Sequence, residues 1–296
     1  MIKKQLSSAP SSAPSAGLFR HTRRAAAGAV RAFVDEAWVL EAERCRAAVE
    51  KALPDTSAEI YFNLGPLGRH EFNERAPGPL RPRSAWVVGP RVQPILVAKE
   101  TRNCDIVGIR VRAGVAGQLL GVPVHELQGT LVDLDCLWGA EVELIREQLS
   151  SCTEPARRMK IVETAILARG ARGRWSGDAA RARVLCASIG ALTHRTVADL
   201  ARDQRLSHRQ MIALFDRHVG LKPKQYDRIQ RLRRVLHIVH TRAPLSWAQV
   251  AVRCGFFDQA HMIHEFRDLA GMTPTEYEAR RMAVGPGFVP HVLAPP

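Results

Sequence analysis

Hydrophobic and polar positions change their spacing along the chain, from short strand-like runs to long helical stretches. From about residue 57, runs rich in β-branched and aromatic residues alternate with glycine, proline and asparagine, a pattern typical of strands and turns. The runs cover residues 59–64, 85–88, 94–97 and 106–111. Several short strands at this spacing predict a small β-barrel or sandwich-like domain.

Helical spacing begins near residue 134 and continues to about residue 170, so helices are expected to flank the strands. Residues 1–24 are basic and rich in serine, alanine and proline, a composition that predicts a disordered tail. Residues 169–180 are rich in glycine and arginine and predict a linker. The sequence therefore predicts an α+β protein, with a β-rich domain at 25–168, an all-α domain at 181–283 and a tail at 284–296.

The last hundred residues contain an internal repeat at an offset of 51. Five identical residues recur in register, at positions where cores and turns are fixed. They are Met211, Phe215, Gly220, Pro223 and Tyr226, repeated as Met262, Phe266, Gly271, Pro274 and Tyr277. This repeat indicates a structural duplication.

Each copy is predicted to form a helix, a tight turn and a second helix. Ser207 and Asp258 are suited to begin the second helices, at 208–219 and 259–270. Gly220 and Gly271 stand where those helices would end in the left-handed conformation. The pattern predicts helix-turn-helix units at about 195–220 and 246–271, whose second helices enter the major groove of DNA.

Apolar residues recur at helical spacing between the two copies, which predicts a helix over residues 223–240. At 1.5 Å per residue it spans roughly 27 Å, enough to hold two recognition helices about one DNA turn apart. Residues 184–283 also carry 16 basic and 9 acidic side chains, whereas 25–183 are nearly balanced with 22 and 20. The excess of positive charge therefore lies where DNA binding is predicted.

Residues 182–282 resemble the AraC/XylS family of transcriptional regulators. The most specific part of this resemblance is the stretch 255–262 (GFFDQAHM) with Phe266 and the stretch 271–277 (GMTPTEY). Residues 106–139 are similar to the β-rich N-terminal domain of one subgroup, whose ligand is generally not known. Ala213 and His264 depart from the family, which often has a long basic side chain at those positions.

The helical phase and the resemblance together define a candidate DNA-binding surface. The base-reading and nearby positions are Ser207, His208, Arg209, Ile212, Ala213, Asp216, Arg217, Gln259, Ala260, His261, Ile263, His264 and Arg267. The candidate phosphate-contacting residues are Lys222, Lys224, Arg228 and Arg231. Arginine, glutamine and histidine can bond base edges or phosphates, and isoleucine can contact a thymine methyl group. The alternative for each residue is that it lies on an ordinary solvent-exposed helix face and makes no contact with DNA.

Four polar or amphipathic residues near the predicted strands are candidates for a sensor pocket, Tyr61, Arg110, Arg112 and His125. Ordinary surface is the alternative, and the sequence names no effector. The pairs His261 with His264 and His237 with His240 are three residues apart, but no further ligand is placed to complete a metal site. We therefore expect neither a metal nor a cofactor.

The residues predict a DNA-binding transcription factor rather than an enzyme. The middle domain has only two histidines, His70 and His125, and the six cysteines include no C-x-x-C pair and no Pro-Cys-His-Arg sequence of an alkyl-transfer repair protein. A nucleoid-type protein that binds DNA without regulating genes is the other alternative. Free thiols and the lack of a membrane span predict a cytoplasmic, nucleoid-associated protein. Double-stranded DNA, RNA polymerase, an effector and a second copy of the chain are the expected partners.

Overall fold

Strands dominate the first half of the molecule and helices the second. The computed structural model describes residues 19–44, 48–65, 69–73, 83–100, 102–173, 176–191, 196–241, 245–284 and 292–293. The strands are β1 (Phe19–Ala25), β2 (Val34–Arg44), β3 (Ala48–Ala52), β4 (Glu59–Asn63), β5 (Arg69–Asn73), β6 (Ala85–Val88), β7 (Ile95–Glu100), β8 (Arg102–Val111), β9 (Leu131–Asp133) and β10 (Val292–Leu293). The predicted α+β class is confirmed.

The strands form two antiparallel sheets. One sheet has six strands in the order β1-β2-β8-β4-β6-β9, and the other has four in the order β10-β3-β7-β5. Trp38 of β2 and Tyr61 of β4 both lie opposite Gly108 of β8. A Cβ atom at Gly108 would lie 2.3 Å from the Trp38 ring, so glycine leaves the space that the indole occupies.

Four helices that come after β8 in the described chain cover one face of the six-stranded sheet. They are α1 (Ala116–Leu120), α2 (Asp135–Trp138), α3 (Glu141–Ser150) and α4 (Pro155–Arg172), with a 3-10 helix at Val124–Leu127. Their apolar side chains share a core with Ile60, Val107 and Ile109 of the sheet. We call β1 to β10 with α1 to α4 the sheet region.

The helical region contains the remaining seven helices, α5 to α11. They are α5 (Gly177–Gly190), α6 (Val197–Asp203), α7 (His208–Val219), α8 (Pro223–Thr241), α9 (Trp247–Cys254), α10 (Gln259–Ala270) and α11 (Pro274–Val284). The helices predicted at 208–219 and 259–270 are confirmed, and the one predicted at 223–240 is longer by one residue. Leu53 of the sheet region is fully buried in the core of these helices, so the two regions share packed surface.

Three boundary predictions differ from the structure. Residues 1–18 of the tail predicted to be disordered lie outside the described residues, but Phe19–Ala25 form β1, paired along its length with β2. The charges on this strand have partners distant in sequence, since Arg24 bonds Glu163 at 2.9 Å. Composition could not reveal that pairing.

The predicted linker at 169–180 is largely helical. Helix α4 runs to Arg172, and α5 begins at Gly177 with Ser176 as its N-cap, because the Ser176 hydroxyl accepts a bond from the Ala179 N–H. Helix α5 was not predicted from the sequence, and neither were β1, β2 and β3, which precede residue 57. The predicted tail at 284–296 contributes β10, which pairs with β3.

Candidate nucleic-acid interface

The first helix-turn-helix unit is built from α6 and α7. Both helices begin with a capping box, in which the N-cap residue and the third helical residue bond each other's backbone N–H. Ser207 caps α7, and Gly220 ends it with φ of 75°. Met211 and Phe215 are buried, which turns the opposite face of α7 to solvent.

The second unit repeats this design in α9 and α10. Ser246 caps α9 in a capping box, and the side chain of Asp258 accepts a bond from the His261 N–H at the start of α10. Gly271 ends α10 with φ of 72°. Met262 and Phe266 are the buried counterparts of the two core residues of α7. The sequence repeat is therefore a structural repeat.

The turns of the two units differ by one residue. Leu206 N–H bonds the carbonyl of Ala201, and Phe256 N–H bonds the carbonyl of Ala251, so the first helices correspond at an offset of 50. The cap Ser207 follows Leu206 directly, whereas Phe257 stands between Phe256 and the second cap. Phe257 is 90% exposed at the start of α10. All five residues repeated at an offset of 51 lie after the cap residue, so the repeat does not reveal this extra residue.

The predicted base-reading face is accessible on both recognition helices. The exposed members are Ser207, His208, Arg209, Ala213, Asp216, Arg217, Gln259, Ala260, His264 and Arg267, while Ile212, His261 and Ile263 are partly buried. Three of these side chains already have partners within the protein, and one of them is Asp216, whose Oδ2 lies 3.3 Å from Nδ1 of His125. Ser207 caps α7, and His261 accepts a bond from the Phe257 N–H at 3.4 Å and lies edge-on to the Phe256 ring.

The four predicted phosphate contacts fall into two pairs. Lys222 and Lys224 are exposed at the start of α8. Arg228 instead points to α10, where its Nε bonds Glu265 at 2.7 Å and its Nη2 bonds Asp268 at 2.5 Å. The hydrogen bond that Arg228 donates to Glu265 is the largest of the causes that raise the pKa of Arg228.

Arg231 also has partners inside the protein. Its guanidinium pairs with Asp227 at 3.1 Å and lies 5.2 Å from the centre of the Phe256 ring. The side chain is 17% exposed. Arg228 and Arg231 therefore connect α8 to the second helix-turn-helix unit in this structure, which spacing on α8 alone did not indicate.

Two of the predicted sensor residues, Tyr61 and Arg110, meet on the carboxylate of Glu59, while Arg112 and His125 have other partners. Tyr61 is stacked on Trp86 with ring centres 5.2 Å apart, and its hydroxyl donates to Glu59. Arg112 pairs with Asp35 at 2.9 Å near the surface. Tyr61 lies on β4, and Arg112 directly follows β8.

Arg110 is the centre of a buried ionic cluster. Its side chain is 5% exposed and pairs with three carboxylates, those of Asp55, Glu59 and Glu36. Burial lowers the pKa of Arg110, but the carboxylates outweigh burial and raise the pKa well above its ordinary value. Such a group holds a structure together but has few donors left for a ligand.

His125 lies against the first recognition helix rather than in a pocket of the sheet. Its Nδ1 is 3.3 Å from Oδ2 of Asp216, at the outer face of α7. Val124 beside it packs on the end of α7, and a Cβ atom at Gly220 would lie 2.7 Å from the Val124 carbonyl oxygen. The 3-10 helix of the sheet region is thus seated beside the candidate DNA-reading surface.

A second contact joins the sheet region to α8. Gln230 donates to the Thr56 hydroxyl at 3.0 Å, and Arg233 donates to the same hydroxyl at 3.2 Å. The preceding residue, Asp55, is fully buried in the Arg110 cluster, and its carboxylate lies 3.8 Å from the Arg233 guanidinium. The ionic cluster of the sheet is therefore continuous with the helix that connects the two helix-turn-helix units.

No metal site emerges from the described residues, and two buried cysteines of the helical region have raised thiol pKa values. Among them, no group of three histidine, cysteine, aspartate or glutamate side chains is placed to hold a metal ion. Burial raises the pKa of Cys186 to about 12 and that of Cys254 to about 11, so both thiols stay protonated at neutral pH. Helices that are long and apolar enough to span a membrane do not occur in the described ranges.

Comparison with protein families gives two matches. Residues 200–280 match the helix-turn-helix domain family, and residues 22–133 match a domain of unknown function (DUF6597). A curated relative, the probable transcriptional regulator LumQ of Photobacterium leiognathi, is 39% identical over 84 residues, or 28% of this chain. The match spans 33% of that relative's length.

Solved structures of several regulators are similar to parts of this chain. A DNA-binding transcriptional dual regulator from Escherichia coli K-12 is 29% identical over 34% of this chain and 89% of its own, with a TM-score of 0.30. A probable AraC family transcriptional regulator from Rhodopseudomonas palustris is 25% identical over 34% and 96%, with a TM-score of 0.30. ToxT from Vibrio cholerae is 11% identical over 82% and 94%, with a TM-score of 0.48.

Proposed function

We propose that this chain, which carries an AraC-type helix-turn-helix domain at residues 200–280, is a sequence-specific DNA-binding transcription factor. The observation that carries the proposal is the pair of capped recognition helices, α7 and α10. Each buries a methionine and a phenylalanine on one face and exposes the polar and basic face predicted to read bases. In this proposal residues 181–283 bind DNA, without catalysis.

The residues proposed to discriminate between bases are the exposed ones on that face. Arg209 and Arg267 suit guanine, Gln259 suits adenine, and His208 and His264 suit base edges or phosphates. Lys222 and Lys224, exposed at the start of α8, support a role in phosphate contacts. Arg228 and Arg231 are less suited to that role, because both are paired inside the protein.

We further propose that residues 25–168 act as a sensor or dimerisation domain that controls how the helical region is presented to DNA. Two contacts support this coupling, His125 with Asp216 on α7, and Thr56 with Gln230 and Arg233 on α8. A change in the sheet that moved either contact would shift the position of a recognition helix or of the helix between the units. RNA polymerase and a second copy of the chain remain proposed partners, in the cytoplasm at the nucleoid.

Selection of DNA from a random pool by the full-length chain tests the function directly. We expect an enriched motif with two half-sites, and a loss of specificity at one base position, worth about 1–3 kcal/mol, in Arg209→Ala and again in Arg267→Ala. Arg157→Ala removes an exposed arginine from α4 and serves as the control, with no expected change in specificity. Equal affinity for all sequences would contradict the proposal and favour a nucleoid-type protein.

A further inference from the structure

Phe257 is a large apolar side chain that the second helix-turn-helix unit leaves in solvent. It is 90% exposed and directly precedes Asp258, the residue that caps α10. Single exposed apolar residues are common on protein surfaces, so exposure by itself does not identify a partner. What the ring contacts depends on where the turn places it.

The two turns correspond residue by residue as far as Phe256. Arg205 and Gly255 both have positive φ, of 53° and 81°. The residues that follow them, Leu206 and Phe256, each donate a backbone bond to the first helix of their unit. Leu206 packs against the helical core, and Phe256 is only 7% exposed. Both therefore supply the apolar side chain that closes the turn.

The extra residue has no such role in the fold. In the first unit Leu206 directly precedes the cap, the position from which an apolar side chain commonly packs back on the helix. In the second unit Phe256 is the buried residue, and Phe257 precedes the cap with its ring outside the core. Its backbone is fixed, because its N–H donates to Nδ1 of His261 at 3.4 Å. The turn therefore presents this ring to solvent in a defined place.

That place is the end of α10 that is predicted to approach DNA. Gln259 and Ala260, two and three residues after Phe257, are exposed and belong to the predicted reading face. The N-terminal residues of a recognition helix contact base edges in the major groove. An outward side chain at this end of α10 is therefore carried towards the same base pairs.

The charges of this unit suit an anionic occupant. The two acids within α10, Glu265 and Asp268, both accept bonds from Arg228. Arg253 of α9 and Arg267 of α10 are exposed. Exposed guanidinium groups on the same unit as the ring favour DNA, which offers phosphates and base edges together, over an apolar protein surface.

Thymine is the base whose chemistry suits a phenyl ring. Its 5-methyl group is an apolar feature of the major groove, and phenylalanine is among the side chains that contact it. Hydrogen-bond patterns distinguish the other bases, and the Phe257 side chain has neither a donor nor an acceptor for them. The first unit, in which residues 196–220 are all described, has no residue inserted at the corresponding place.

We propose that Phe257 is a specificity-determining residue, whose ring packs against the 5-methyl group of a thymine in the half-site bound by α10. This inference rests on the proposed function and adds to the predicted reading face a residue that precedes α10. It also makes the two half-sites unequal, because the first unit has no matching side chain.

Removing one methyl group from the DNA tests the contact without changing the protein. The full-length chain first selects its motif from a random pool, and each thymine of that motif is then replaced in turn by deoxyuridine. We expect a replacement in the half-site bound by α10 to weaken binding about fourfold, the effect of one buried methyl group.

Three protein variants assign that methyl group to Phe257. Phe257→Ala should bind the thymine and deoxyuridine sites equally at that position, with the wild-type salt dependence, because the ring carries no charge. Phe257→Leu retains an apolar side chain and should keep part of the preference. Leu144→Ala is the control, because it removes another exposed apolar residue, 60% exposed on α3, and should keep the full preference. Since the ring lies outside the core, Phe257→Ala should also melt at the wild-type temperature.

The outcomes separate this contact from the proposed function. The contact is supported if the preference for thymine over deoxyuridine disappears in Phe257→Ala and persists in Leu144→Ala. It is overturned if the wild-type chain selects a motif in which the effect of every replacement is the same in Phe257→Ala, and the proposed function then still stands. Failure of the wild-type chain to select any motif would overturn the proposed function, and the contact with it.

Discussion

Replacing Arg228 by glutamine separates two roles for this side chain, a phosphate contact and an internal brace between α8 and α10. The brace consists of one hydrogen bond to Glu265, whose side chain is 16% exposed, and one to Asp268, which is 57% exposed. Exposed ion pairs contribute roughly 0.2–1 kcal/mol, and the more buried Glu265 pair belongs at or above the top of that range. We expect Arg228→Gln to lower the free energy of unfolding by about 1 to 1.5 kcal/mol in total.

Two measurements on the same variant distinguish the roles. Urea unfolding gives the stability loss, and the slope of log binding constant against log salt concentration counts phosphate contacts, at about 0.9 per contact. A brace predicts lower stability and an unchanged slope. Lys224→Gln is the control, because it removes an exposed amine that is a candidate phosphate contact. It should make the slope of log binding constant against log salt concentration shallower by about 0.9 and change the free energy of unfolding little.

The bracing role would be refuted if Arg228→Gln reduced the salt-dependence slope by about 0.9, the value for one phosphate contact, while its free energy of unfolding stayed at the wild-type value. Glu265→Gln provides a second test, because it removes the partner without touching a candidate phosphate contact. It should reproduce most of the stability loss and leave the salt dependence unchanged.

Three further predictions follow from buried or strained positions. Asp55→Asn should lower the free energy of unfolding by about 3 kcal/mol in urea, because it removes a fully buried partner of a buried arginine. Gly220→Ala should cost about 2 kcal/mol or more, since φ is 75° and the Val124 carbonyl is too close, whereas Gly271→Ala should cost only about 1. The folded pKa of His240 is about 4 against an ordinary 6.5, so its contribution to stability is present above pH 6.5 and lost as the pH falls towards 4. Melting temperatures across that range should fall less in His240→Gln, and an equal fall would contradict this assignment.

Local sequence signals located the helix-turn-helix units well. Caps at Ser207 and Asp258 and terminal glycines at 220 and 271 act within one helical turn, so the residues that encode them are neighbours in the chain. The alternation of buried and exposed positions on α7 and α10 follows from the same short period. The exposed reading face could therefore be predicted from residues alone, although its contacts with bases remain a prediction.

The strands were predicted less completely, because pairing depends on distant partners. β1 is basic and follows a tail of low-complexity composition, yet it pairs with β2, and its Arg24 bonds a glutamate of α4. The extra residue Phe257 was not predicted either, because the residues that repeat at a constant offset all come after it in the chain. Tertiary contacts decided the pairing of β1, whereas the backbone bonds of the two turns revealed the extra residue.

The sequence by itself determined the class of the C-terminal domain, its duplication and the face of each recognition helix that is open to solvent, because these depend on side chains a few residues apart. Only the tertiary structure decided which charged side chains are paired within the protein and which remain available to bind DNA or a ligand. Arg228 bonds Glu265 of α10, Arg110 bonds three carboxylates, and His125 contacts Asp216. The partners in each case are at least 37 residues apart in the sequence. Ion pairs form wherever folding brings opposite charges together, and no periodicity along the chain records where that will be.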